Sequence, residues 1–160
     1  MSMRISKKRE PVYYFAYGSN MDSIVMIKRG IEYQERLLGI LYEYELLFNK
    51  LARKDSLIGY ANINYAPNKM TEGALYIIDE RGLKKLDKYE GFPDHYDKYI
   101  GTIHTKKIGS VEAYVYVAQM DKTSDNLLPT KEYLSHLLAG KDLLSNSYYE
   151  QLKNVKTIDG

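Results

Sequence analysis

The chain has 160 residues, 44% hydrophobic and 28% charged, which suits a single globular domain with a real core and argues against disordered and membrane chains. Its net charge of +2 is spread along the chain, which does not support nucleic-acid binding, and no apolar run reaches the ~18 residues of a membrane-spanning helix. There are no cysteines, so disulfides, thiolate metal sites and a cysteine nucleophile are excluded; no secretory signal is read, and a cytoplasmic location is expected.

Residues 1–11 read as a basic flexible tail and 12–156 as one domain. Val12 to Tyr17 forms a first predicted strand, and Asp22 to Arg29 a short helix with Asp22 as N-cap and Gly30 as its stop. Gln34 to Asn49 is one or two extended segments with both faces apolar. Tyr60 to Tyr65 and Gly73 to Ile78 read as two strands separated by a loop at Pro67, Asn68 and Lys69. DERGLKKLDKYEG is a helix opened by acids and ended by Gly91. Tyr96 to Thr105 and Val111 to Ala118 form a hairpin around a Lys107–Ser110 turn. Pro129 is placed at the start of the helix TKEYLSHLLAG, and a last short helix runs from about Asn146 to Leu152. Six mostly antiparallel strands with helices inserted at three places predict an α+β fold, which can close into a small barrel with a ligand site at its mouth.

Two local features carry chemistry. YFAYGSNM ends a strand in Gly18, Ser19 and Asn20, either an ordinary strand-to-helix turn or a cradle for negative charge. On the 79–91 helix, Leu83, Leu86 and Glu90 fall on one stripe, while Lys84, Lys85 and Lys88 take the solvated positions. A carboxylate on an apolar stripe is costly when ionised, so its pKa rises toward the range useful for proton transfer. Fraying at residue 89 would instead leave Glu90 solvated, and periodicity leaves both outcomes open.

Other candidates are weaker. Ser19 lacks the second glycine of a G-x-S-x-G elbow and needs a base within reach. His95, His104 and His136 have no ligand spacing, so no metal site is expected. Asp94 and His95 read as turn residues. There is no Walker sequence and no dinucleotide fingerprint.

In this order and spacing, YFAYGSNM, LYEYELLFN, GYANINYAPN, EGALYIID, LDKYEGFPDHYDKY, EAYVYVA and PTKEYLSHLLAG resemble the gamma-glutamylcyclotransferase-like family over nearly the whole chain after the tail. The resemblance implies a small mixed, mostly antiparallel β-barrel with peripheral helices and a cavity at one end. It implies that the α-amine of a small γ-glutamyl substrate attacks its own γ-carbonyl, giving 5-oxoproline and a free amine or amino acid without metal or organic cofactor. Glu90 matches the family's general acid–base carboxylate. Gly18, Ser19 and Asn20, flanked by Tyr17 and Met21, match its substrate loop, and Tyr116 and Tyr133 match hydroxyl-bearing walls around the glutamyl group. The alternatives are a non-catalytic binder of a glutamyl-like metabolite on the same fold and a serine hydrolase using Ser19.

Overall fold

The computed structural model describes residues 10–160. The expected tail over 1–11 lies outside them except for Glu10 and Pro11, which are exposed. Five strands form a closed barrel: β1 (Val12–Ala16), β2 (Glu35–Leu51), β3 (Gly59–Ile78), β4 (Tyr96–Thr105) and β5 (Gly109–Ala118). The order around the barrel is β1-β3-β2-β4-β5, and β5 closes on β1 in parallel at Tyr14 opposite Tyr114. The other pairings are antiparallel.

The strand count corrects the sequence reading. Tyr60–Tyr65 and Gly73–Ile78 are the two ends of β3, and both pair with β2. Around Pro67–Lys69 the register shifts, from Tyr42 opposite Met70 to Tyr44 opposite Tyr65. Glu43 and Asn68 there take positive φ angles of 69° and 67°, and Asn68 N donates a 2.8 Å hydrogen bond to Glu43 Oε2. Pro67 has no N–H to offer a ladder and Asn tolerates the left-handed region, so a bulge accommodates both without ending the strand.

Side chains alternate between two cores. Phe15, Leu37, Leu41, Ile63, Leu75 and Ile103 share one cluster with Ala113 and Val115. Tyr14, Ala16, Tyr76 and Tyr116 face the other way, in a cluster with residues of the helices. Gly39 and Gly73 pair across β2 and β3, and Cβ atoms added there would lie 3.3 Å and 3.0 Å from the Phe15 ring. The paired glycines therefore make room for that ring.

Four α-helices cover the barrel: α1 (Ser23–Lys28), α2 (Glu80–Tyr89), α3 (Lys131–Leu138) and α4 (Asn146–Lys153). Asp22 caps α1 as expected, accepting from Ile24 N at 3.0 Å, and Gly30 ends that segment with φ 71°. The start of α3 differs from expectation. Thr130, not Pro129, is the N-cap and accepts from Tyr133 N at 3.0 Å. A hydroxyl satisfies an orphan helix amide, which proline cannot do. The packed region also runs past residue 156: Ile158 N bonds Pro129 O at 3.0 Å, and Asp159 Oδ1 accepts from Lys131 N at 2.9 Å. Among the described residues no helix is long and apolar enough to cross a membrane.

Candidate active site

Beyond β1 the chain passes Gly18 and makes a short 3-10 turn over Ser19–Met21 before entering α1. A Cβ at Gly18 would meet Ala61 Cβ and Tyr133 Oη, each at 3.2 Å, so glycine lets the backbone lie close against both. The turn is tied down on its other sides. Asn20 Nδ2 donates to Tyr14 Oη at 3.0 Å, Arg29 donates to Asn20 Oδ1 at 2.9 Å, and Tyr76 Oη donates to Asn20 O at 2.6 Å. Arg36 holds the Met21 carbonyl at 2.7 Å. As the opening amides of a helical turn, those of Ser19 and Asn20 have no intrahelical carbonyl to bind.

The second element is the end of α2. Leu83 and Leu86 are buried, and the helix stops at Tyr89, one residue short of the carboxylate. Glu90 still follows the helical path as C-cap, with φ −82°, ψ −6° and its N–H on Leu86 O at 2.8 Å, before Gly91 turns the chain at φ 63°. Its carboxylate thus continues the leucine stripe although the last turn has ended. The residue is partly exposed because it borders an open cleft, yet protein surrounds the carboxyl group. Burial raises its pKa from the ordinary carboxylate value to about 7, opposed by the positive charges of Arg29 and Lys50.

Glu90, Gly18, Ser19 and Asn20 line one inner cavity of about 40 Å³. By the ~10–15 Å³ that one water needs, this is room for roughly three waters or the tip of a small polar ligand. Ser19, Glu90, Tyr96 and Tyr133 also line an outer cleft of about 610 Å³, so chamber and cleft adjoin at these four residues.

Tyrosines wall the chamber. Tyr17 donates to the Tyr116 carbonyl, Tyr116 Oη to Asp87 Oδ1 at 2.6 Å, and Tyr96 Oη to Ala61 O at 2.7 Å. Tyr133 Oη accepts from Ala61 N at 3.0 Å, and Tyr14 Oη accepts from Asn20 Nδ2. No described residue takes the protons of Tyr14 and Tyr133, so these two can donate to a ligand. Burial raises the pKa of both hydroxyls, which keeps them protonated where Glu90 titrates.

The structure sorts the expected residues. Tyr17, Gly18, Ser19, Asn20, Glu90, Tyr116 and Tyr133 meet at the chamber. Met21 does not: it is wholly buried and lines neither chamber nor cleft. Its apolar side chain belongs to the core beneath the turn, where a Cβ on Gly140 would lie 3.3 Å from its sulfur. Tyr116 is on the chamber and Tyr114, its neighbour on the same strand face, is not. Tyr14, Tyr96, Arg29 and Lys50 escape the sequence reading. Only Lys50 had a usable signal there, as a lysine closing the apolar run LLFNK. His95 lines the cleft instead of merely turning the chain.

Ser19 and His136 share the cleft, and His136 Nδ1 pairs with Asp22 Oδ2 at 2.9 Å, but no hydrogen bond joins Ser19 to His136. The nucleophile–base contact of a serine hydrolase is therefore missing. Among the described residues no group of three or more His, Asp or Glu is placed to hold a metal ion.

A closed barrel of this topology, with a cavity at the β1–α1 turn, defines a protein of the gamma-glutamyl cyclotransferase fold. One gamma-glutamyl cyclotransferase structure matches it with a TM-score of 0.81 at 22% identity, over 94% of this chain and 91% of that one. The crystal structure of YkqA from Bacillus subtilis matches with a TM-score of 0.80 at 25% identity, over 93% of this chain and 56% of that one. The model of the AIG2-like family matches residues 70–152, and the chain belongs to that family. In sequence it is 31% identical over 159 residues to YkqA of Bacillus subtilis (strain 168), a protein provisionally named a gamma-glutamylcyclotransferase. That alignment covers 93% of this chain and 53% of YkqA, so the chain spans about half the length of this curated relative.

Proposed function

We propose that the chain is a γ-glutamyl cyclotransferase acting on a small γ-glutamyl amide, with Glu90 as its proton carrier. The observation that carries this reading is a carboxyl group with a pKa near 7 sharing one chamber with the Gly18–Asn20 turn. The ionised Glu90 takes a proton from the substrate's α-ammonium. The freed amine attacks the γ-carbonyl, forming the lactam C–N bond, and the original amide C–N bond breaks. Glu90 then returns its proton to the departing amine, so atoms and protons balance without a further reactant. A carboxyl group with a pKa near 7 serves both transfers, since neither protonation state is far out of reach.

The Ser19 and Asn20 amides suit a negatively charged substrate oxygen, because they are preorganised donors at no cost in reorganisation. Tyr133 and Tyr14 supply neutral donors. Nucleophile and electrophile share one molecule, so the remaining task is to hold its folded conformer. A purely binding role is less well supported, since an ordinary binder has no use for a carboxyl group tuned this way.

The test is 5-oxoproline release, measured by mass spectrometry, from a panel of γ-glutamyl amino acids, peptides and amines. At least one should be turned over, and Glu90→Gln should lower that turnover by a factor of about 10²–10⁴ while leaving circular dichroism unchanged. Ligand binding with no product from any member of the panel would favour the binding role instead.

A further inference from the structure

We propose that the Asn20 side chain is a positioning residue and not a substrate ligand: held by Arg29, it fixes the Tyr14 hydroxyl as a donor to the substrate's γ-carbonyl oxygen. This rests on the cyclotransferase reading of the same chamber and assigns a role within it.

Asn20 is 2% exposed, and both ends of its amide are bound within the protein. Arg29 donates to Oδ1 at 2.9 Å, and Nδ2 donates to Tyr14 Oη at 3.0 Å. A guanidinium has donors and no acceptor, so it admits one orientation of the amide. The oxygen must face Arg29, and the nitrogen must then face Tyr14. The Asn20 backbone is held as well, because Tyr76 Oη donates to its carbonyl at 2.6 Å and Arg36 donates to Tyr76. No flipped arrangement of the amide keeps these bonds.

The consequence falls on Tyr14. Its oxygen is made an acceptor, so its one proton turns away from Asn20, and no described residue receives it. The ring is locked: it is 4% exposed, stacked on Tyr76 with centroids 6.1 Å apart, and edge-on to Tyr116 at 5.9 Å. Tyr14 lines the chamber with Glu90 and does not line the outer cleft, which puts it at the part of the site where Glu90 works. Burial, and then the charge of Glu90, raise the Tyr14 pKa, in keeping with that proximity. A phenol that accepts an N–H is polarised by it and becomes a stronger donor. Such a donor, aimed before the substrate arrives, stabilises charge developing on the carbonyl oxygen without reorganisation.

The experiment is a double-mutant cycle on 5-oxoproline release by the full chain. Asn20→Asp, Tyr14→Phe and the double variant are assayed on the pH plateau above the Glu90 titration. Asparagine to aspartate is nearly isosteric and keeps an acceptor for Arg29, but it sets a second oxygen against Tyr14 Oη, which must then give its proton to residue 20. Each single substitution should lower kcat/KM about tenfold to a hundredfold, the scale of a hydrogen bond to a charged group. The loss should fall chiefly on kcat, since the bond strengthens as the oxygen gains charge. The double variant should be no worse than the poorer single one. An Asn20→Asp loss that recurs in full on top of Tyr14→Phe overturns the proposal. So does unchanged turnover in either single variant, or a loss carried by KM alone. Should the double variant fail to fold by circular dichroism, Asn20→Ala with and without Tyr14→Phe carries the same comparison. Absence of 5-oxoproline from the unaltered chain removes the cyclotransferase reading instead. Calorimetric titration with γ-glutamylalanine then decides the Tyr14 donor alone: weaker binding by both single variants supports it. Equal binding by all three proteins, or none by the unaltered chain, sinks it.

Discussion

The Tyr116 hydroxyl donates a 2.6 Å hydrogen bond to Asp87 Oδ1, three residues before Glu90 on the same α2 segment. Asp87 also accepts from Lys98 Nζ at 3.1 Å, so strand β5, strand β4 and the end of the helix meet at one carboxylate. The Tyr116 proton is thus committed to the scaffold, and burial with that bond pushes its pKa well above the usual tyrosine value. Its ring forms a wall of the chamber, and we propose that its hydroxyl serves the scaffold and not the substrate.

Tyr116→Phe should therefore leave kcat/KM within a few-fold of the unaltered protein while costing about 1 kcal/mol in urea denaturation. Asp87→Ala should do more harm to both, because it releases Lys98 as well and loosens the segment that aims Glu90. A large loss of turnover in Tyr116→Phe with unchanged stability would show that the hydroxyl acts on the substrate after all.

If Glu90 is the proton carrier, as proposed, the pH dependence of turnover follows from its titration. The base must be ionised to accept the first proton, and its pKa lies near 7. We expect kcat/KM to fall about tenfold per pH unit below that value and to level off above it. Glu90→Gln removes the proton carrier at nearly constant volume, and turnover should drop by a factor of about 10²–10⁴. A profile flat from pH 5 to pH 8 would mean that another group carries the proton.

Legibility in the sequence followed the range of the forces involved. α2 was readable because its stripe of Leu83 and Leu86 is local, but its period left open whether Glu90 stays in line with them or frays away; the helix stops at Tyr89 and Glu90 keeps the helical path as C-cap. Asp22 as a cap was equally local. The Pro67–Lys69 segment misled because a turn signal says nothing about whether the chain returns to the same partner; only β2 decides that. Met21 misled because it is contiguous with the turn in sequence, whereas the chain sends its side chain into the core. Tyr14, Tyr96, Arg29 and Lys50 reach the site from β1, β4, the end of α1 and β2. No spacing rule links such distant positions, and closure of the barrel alone brings them together.

Tyr133 tests the neutral donors of the chamber. Its oxygen accepts the Ala61 amide at 3.0 Å, and its proton is left for a ligand. In Tyr133→Phe the Ala61 N–H is left buried without an acceptor, which should cost about 1–3 kcal/mol of stability. If the hydroxyl also donates to the substrate, KM for a γ-glutamyl compound should rise or kcat fall beyond what partial unfolding explains. Assays on protein shown to be fully folded at the assay temperature separate the two effects. Unchanged kinetics there would reduce Tyr133 to a structural role.

The same burial that tunes Glu90 should cost the fold stability, with a definite sign. In the unfolded chain a glutamate titrates near 4.5, and in the folded protein Glu90 titrates near 7, so between those values the folded state binds more protons than the unfolded state. Stability contributed by the neutral carboxyl is therefore fully present below about pH 4.5 and is lost as pH rises through 7, by up to about 3 kcal/mol for this one group. Glu90→Gln has no charge to desolvate, so the variant should melt higher than the unaltered chain at pH 8. The difference should shrink to little at pH 5, where the native carboxyl is already protonated. Differential scanning calorimetry at the two pH values reads this directly. A gain that is the same at both would mean that the carboxylate is ionised throughout, and the tuning that the proposed chemistry needs would be absent.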